Sequence, residues 1–113
     1  MNTTFDSVDG ALLAQPGGRI DSNTAGQFEQ ELLTRIEAGE ARVVLDFSAL
    51  DYISSAGLRV VLMAAKRTQA AQGALALCGL NESIREVFEI SGFLSILTVC
   101  EGRDEALLAV TGG

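Results

Sequence analysis

The chain has 113 residues, 48% of them hydrophobic and 20% charged, which is the balance of one folded domain over residues 1–113 and not of a disordered segment. Its 15 Asp and Glu against 8 Lys and Arg leave a formal charge of −7, a surface that repels nucleic-acid phosphates and anionic lipid. There is no His, hence neither the commonest general base nor the commonest metal ligand, and no apolar run approaches the roughly 18 residues a membrane helix needs.

Thr3 to Ser7 reads as a weak strand, Asp9-Gly10 as a two-residue hairpin turn, and Ala11 to Ala14 as the return strand. Gly17-Gly18 reads as a break. Asp21, Ser22, Asn23 and Thr24 are capping residues ahead of a helix with Ala25, Phe28, Leu32 and Ile36 on one face and Gly39 past its end. Ala41 to Phe47 contains VVLDF, a short β-branched and aliphatic run without alternation, the pattern of a strand covered on both faces. Ser48 to Ser54 reads as a loop. A second helix follows from about Ala56 to Gln72, its core face Leu58, Val61, Leu62 and Ala65, closed by Gly73. Ala74 to Cys78 is another buried strand. Asn81 caps a third helix carrying Ile84, Val87 and Phe88, ended by Gly92. Leu94 to Val99 reads as the last strand and Asp104 to Val110 as a terminal helix.

After the hairpin, strands and helices alternate. That predicts an α/β fold: a four- to five-stranded, mostly parallel mixed sheet with an N-terminal hairpin and four helices mainly on one face. Sites in such folds lie where strands end and helices begin, which points to Gly17–Thr24 and Ser48–Leu58. In the second segment Ser54 and Ser55 meet a helix start. Either hydroxyl can accept an orphan N–H of the first turn, and a pair of serines there is ordinarily just a cap. Gly57 lets the backbone approach another surface closely. A phosphoryl group on this helix end would be held by the free N–H groups.

At 100° per residue Ser55, Arg59, Met63 and Lys66 form one stripe of the second helix, with Met63 readable as a partner contact or as core. Asp46 and Asp51 read as structural, through loop hydrogen bonds or solvation. Cys78 sits inside an apolar strand. Cys100 follows the last strand, where it can be exposed, and the two lack the spacing of a zinc or redox pair. No catalytic residue, metal ligand or cofactor loop emerges, and the expectation is a cytoplasmic interaction domain, not an enzyme. MNTTFDSVDG has neither the basic flank nor the apolar core of a signal peptide.

The string D46-F-S-A-L-D-Y-I-S-S-A-G-L-R59 resembles the STAS domain, specifically the bacterial anti-sigma factor antagonists (anti-anti-sigma factors). The resemblance covers nearly the whole chain. It includes G18-R-I-D21 with Thr24-Ala25, the ALALCGL strand, and the run from Asn81 to Phe93. It implies the STAS fold and a phosphorylation switch. In such proteins the unmodified form binds a serine kinase of the histidine-kinase-like ATPase superfamily that doubles as anti-sigma factor. Phosphorylation at the start of the second helix releases it, and a PP2C-type phosphatase resets it. The usual acceptor in this family immediately precedes the glycine, and that position here is Ala56. Ser55 is therefore the expected acceptor, with Ser54 the second choice and no phosphorylation a third possibility. The resemblance also places Asp21 near the acceptor, as a partner contact or as the first helix's cap. Asp21, Ser54, Ala56, Gly57, Arg59, Met63 and Lys66 are the expected partner-binding residues. The rival assignment is a STAS accessory subunit of a lipid ABC transporter, docking on its ATPase subunit.

Overall fold

A computed structural model of the chain describes residues 2–112. Strands β1 (Asn2–Val8) and β2 (Ala11–Ile20) form the antiparallel hairpin. Its turn residues Asp9 and Gly10 have φ of 53° and 83°, the left-handed pair that matches the twist of flanking strands. Helix α1 (Ala25–Glu37) leads to β3 (Arg42–Asp46), then β4 (Leu50–Ile53) and helix α2 (Ser55–Ala70). β5 (Ala74–Cys78), α3 (Glu82–Ile90), a 3-10 turn (Phe93–Ser95), β6 (Thr98–Cys100) and α4 (Arg103–Thr111) complete the order.

The sheet runs β1-β2-β3-β5-β6, and β4 pairs with β2. Every pairing but β1–β2 is parallel. The sheet thus has six strands, not four or five, because Leu50–Ile53 is a strand and not a loop. The same fact corrects the break expected at Gly17-Gly18. β2 runs on through it because it changes neighbours there. Leu12 to Ala14 pair with β3, and Gly18 to Ile20 pair with β4, with a register irregularity between Gly18 and Arg19. Pro16 falls in the gap between these two partners, where a strand tolerates a residue with no N–H to donate.

Side chains alternate between two apolar layers. Leu12, Val43, Leu45, Leu75 and Leu77 face Phe28 and Leu32 of α1, Val61 and Ala64 of α2, and Ile84 and Phe88 of α3. Ala11, Leu13, Val44, Ala76, Cys78 and Cys100 face Ala106, Leu107 and Val110 of α4. Three helices cover one face and α4 covers the other. That is why Val43–Leu45 of β3 and Ala74–Cys78 of β5 are apolar without alternation. The small residues on the second face let α4 seat closely.

Two further expectations change. The last strand is only Thr98–Cys100, preceded by the 3-10 turn. Phe93, Leu94 and Leu97, spaced by one and three residues, pack on the core as a helical turn does and not by strand alternation. Cys100 belongs to that strand and is buried. On α2 the buried residues are Gly57, Leu58, Val60, Val61, Ala64 and Thr68, whereas Leu62 and Ala65 are only half-buried. No helix among the described residues is long and apolar enough to cross a membrane.

Candidate functional site

Because Ile20 of β2 and Ile53 of β4 are register partners, the turns that follow them lie side by side at the carboxyl edge of the sheet. The turn after β4 hangs from its neighbour: the Ser54 N–H donates to the Ile20 carbonyl at 2.8 Å. Ser54 is extended (φ −90°, ψ 174°), and its Oγ accepts the Gly57 N–H at 3.3 Å, while its carbonyl takes the Leu58 N–H. Ser54 is therefore the cap of α2. Ser55 is the first helical residue, and its exposed hydroxyl makes no hydrogen bond to another described residue.

Gly57 fixes where these serines sit. A Cβ there would lie 2.7 Å from Ile20 Cγ2 and 2.7 Å from Ile53 Cγ1. Only glycine lets α2 begin flush against both strands. The close approach expected of this residue is thus made within the chain. Gly57 is buried, and Ala56 is half-buried against the core. Neither presents much surface to a partner. Arg59 and Lys66 point outward with Ser55, whereas Met63 packs on the core.

The turn after β2 is closed on itself. Asp21 Oδ1 accepts the N–H groups of Asn23 (2.9 Å) and Thr24 (3.2 Å). The Asp21 N–H donates to Thr24 Oγ1 at 2.9 Å, and that hydroxyl lies 2.9 Å from the Arg19 carbonyl. The Asn23 N–H, together with the Thr24 N–H and hydroxyl, holds the Asp21 carboxyl below its ordinary range. Asp21 builds the entry to α1, and no hydrogen bond joins it to Ser54 or Ser55 among the described residues.

Asp46, at the end of β3, is 4% exposed. Burial pushes its carboxyl up, but the Arg103 guanidinium (Nη2 at 2.6 Å, Nε at 3.1 Å) and the Ser48 N–H at 2.9 Å outweigh burial and bring it below the usual range. It ties β3 to α4 and is no member of a carboxylate pair. Asp51 is exposed. Cys78 and Cys100 are register partners on β5 and β6. Burial first, then the Asp46 charge, pushes the Cys78 thiol up to about 11. Among the described residues no group of three His, Cys, Asp or Glu could hold a metal ion.

Beside Ser55 lies a shallow groove of about 260 Å³. Ser55, Leu58, Arg59 and Leu62 of α2 form one wall, and Ser91 and Phe93 face them. Leu62, Ser91 and Phe93 escape a reading that assigns Leu62 to the core. The wheel held the signal for Leu62: it projects within about 20° of Ser55, closer than Met63 does. Arg103 had none, being 57 residues from Asp46.

A family model described as the STAS domain matches residues 2–106. The chain belongs to that family. It is 53% identical over 109 residues to a protein of Bordetella bronchiseptica named as an anti-sigma factor antagonist, BtrV, covering 96% of this chain and 94% of the relative. Its fold matches the crystal structure of a Thermotoga maritima protein titled as an anti-sigma factor antagonist. The TM-score is 0.91 at 21% identity, over 96% of this chain and 94% of that one. It also matches the Bacillus cell fate determinant SpoIIAA in its phosphorylated form, with a TM-score of 0.73 at 21% identity over 94% and 96% of the two chains.

Proposed function

We propose that this chain is an anti-sigma factor antagonist whose docking on an anti-sigma factor is gated at Ser55. The partner is a serine kinase of the histidine-kinase-like ATPase class. It binds the unmodified chain, then transfers the γ-phosphoryl group of ATP to Ser55 Oγ, which gives up its proton as ADP leaves. A PP2C-type phosphatase hydrolyses the ester and returns the hydroxyl. The chain itself is a binding module and carries out no catalysis. The relative named as an anti-sigma factor antagonist supports an anti-sigma factor as the partner, and a STAS-fold protein known in phosphorylated form supports the modification.

One observation carries the choice of acceptor. Ser54 Oγ is engaged by the Gly57 N–H, while the Ser55 hydroxyl is exposed and unbonded. A phosphate on Ser55 adds about −1.5 to −2 charges beside the positive end of α2, which favours the folded state if anything. It interferes with docking through bulk, repulsion and desolvation while the domain stays intact. Incubation with the cognate kinase and ATP, followed by mass spectrometry, is expected to place one phosphate on Ser55. An adduct on Ser54, or none, overturns the assignment. A Ser55→Asp variant is expected to keep its circular dichroism spectrum and lose binding.

A further inference from the structure

We propose that the groove beside Ser55 receives an apolar segment of the partner carrying a carboxylate that pairs with Arg59. This rests on the reading above that the partner is an anti-sigma factor, and it goes further in naming the complementary chemistry. The first ground is charge. In a chain of formal charge −7, α2 contains Arg59, Lys66 and Arg67 and no acid at all. Most other cations are engaged: Arg35 by Glu40, Arg67 by Glu37, Arg103 by Asp46, Arg42 by the Val110 carbonyl, and Arg19 over the Tyr52 ring at 4.3 Å. Among the described residues Arg59, Lys66 and Arg85 make no ion pair; Arg85 is half-buried on α3, whereas Arg59 and Lys66 are exposed on the face that carries Ser55.

The second ground is shape. Leu58, Leu62 and Phe93 give the groove its apolar lining, and Arg59 lines it with Ser55 and Ser91. An apolar stripe rimmed by an unpaired guanidinium suits a segment with aliphatic side chains and one acid, since a carboxylate gains most from a guanidinium at the edge of an apolar contact. The arrangement also says how a phosphate acts. Residues four apart on a helix are neighbours, and acid before base is the favourable order. A phosphate on Ser55 therefore reaches Arg59 and takes the counter-ion from the partner.

The test is calorimetric titration of the unmodified chain with its anti-sigma factor at low salt and at 0.5 M salt. Arg59→Gln is expected to weaken binding about tenfold or more and to flatten the salt dependence, with Arg59→Lys recovering most of the loss. Leu62→Ala is expected to weaken binding about tenfold with the salt dependence kept. Affinities within about twofold of wild type for both Arg59→Gln and Leu62→Ala would overturn the groove while the anti-sigma factor reading stands. Absence of binding by the wild-type chain removes that reading and this inference with it. Self-association abolished by Leu62→Asp would assign the groove to a second copy and equally overturn the proposal.

Discussion

The turn after β2 and the turn after β4 are neighbours of similar design, each leading a parallel strand into a helix, yet they treat their polar groups in opposite ways. In the first, the Asp21 carboxylate and the Thr24 hydroxyl satisfy each other and the local backbone. In the second, Ser54 alone caps the helix, and Ser55 is left with nothing to hold. A closed turn is architecture. A turn with one hydroxyl to spare, on a helix without acids, fits the proposal that its chemistry is supplied from outside.

Substitutions that treat the two turns alike should give unlike results. The largest effect is expected from glycine. Gly57→Ala forces a methyl group into Ile20 and Ile53 and should cost about 2–3 kcal/mol by overpacking, read as a lower urea midpoint. Gly26→Ala, in the first turn of α1, meets nothing within 4 Å and should instead stabilise by about 0.5 kcal/mol through helix propensity.

Next comes the carboxylate. Asp21→Ala removes the acceptor for two backbone N–H groups and should lower the urea midpoint in the same measurement, by less than Gly57→Ala does. Because the Asp21 and Asp46 carboxyls are held below their ordinary range, the unfolded chain binds more protons than the native one near pH 4. Their stabilisation is complete above the unfolded value of about 3.9 and is lost as pH falls through the lower native values. Asp21→Asn should flatten that acid limb in a pH series of thermal melts, and Ser55→Ala should leave it unchanged. The Ser55 turn gains a titrating group only with a phosphate, whose second ionisation lies near pH 6.

The hydroxyls come last. Ser54→Ala should cost about 1 kcal/mol as a lost cap, and Ser55→Ala should change stability by less than about 0.5 kcal/mol while abolishing phosphorylation. Equal costs for the two serines would erase the distinction drawn between them.

Much of this was legible in the chain, and the failures have physical causes. α1 and β5 declare themselves through Phe28, Leu32 and Ile36 at helical spacing and through the ALALC run. β4 does not, because it has four residues, two of them exposed, and its partner is the Gly18–Ile20 stretch that reads as a break. The family motif marks the serine turn, but two adjacent serines are equally good caps on paper. Only the bond from the Gly57 N–H separates them. Leu62 and Met63 differ by one helical step, and which one enters the core depends on how α2 is rotated by Gly57 seating on Ile20 and Ile53.

The two cysteines, held under α4 on the side of the sheet away from α1–α3, give the molecule a built-in clock. A thiol with an ionisation near 11 is a poor nucleophile at neutral pH, and burial keeps reagents from reaching it. Alkylation of Cys78 and Cys100, both buried with their thiols pushed up, is therefore expected to wait on opening of the layer under the C-terminal helix. Since Ser55 begins α2, on the face of the sheet opposite α4, the labelling rate is expected to report opening of the scaffold separately from the surface proposed to dock the partner.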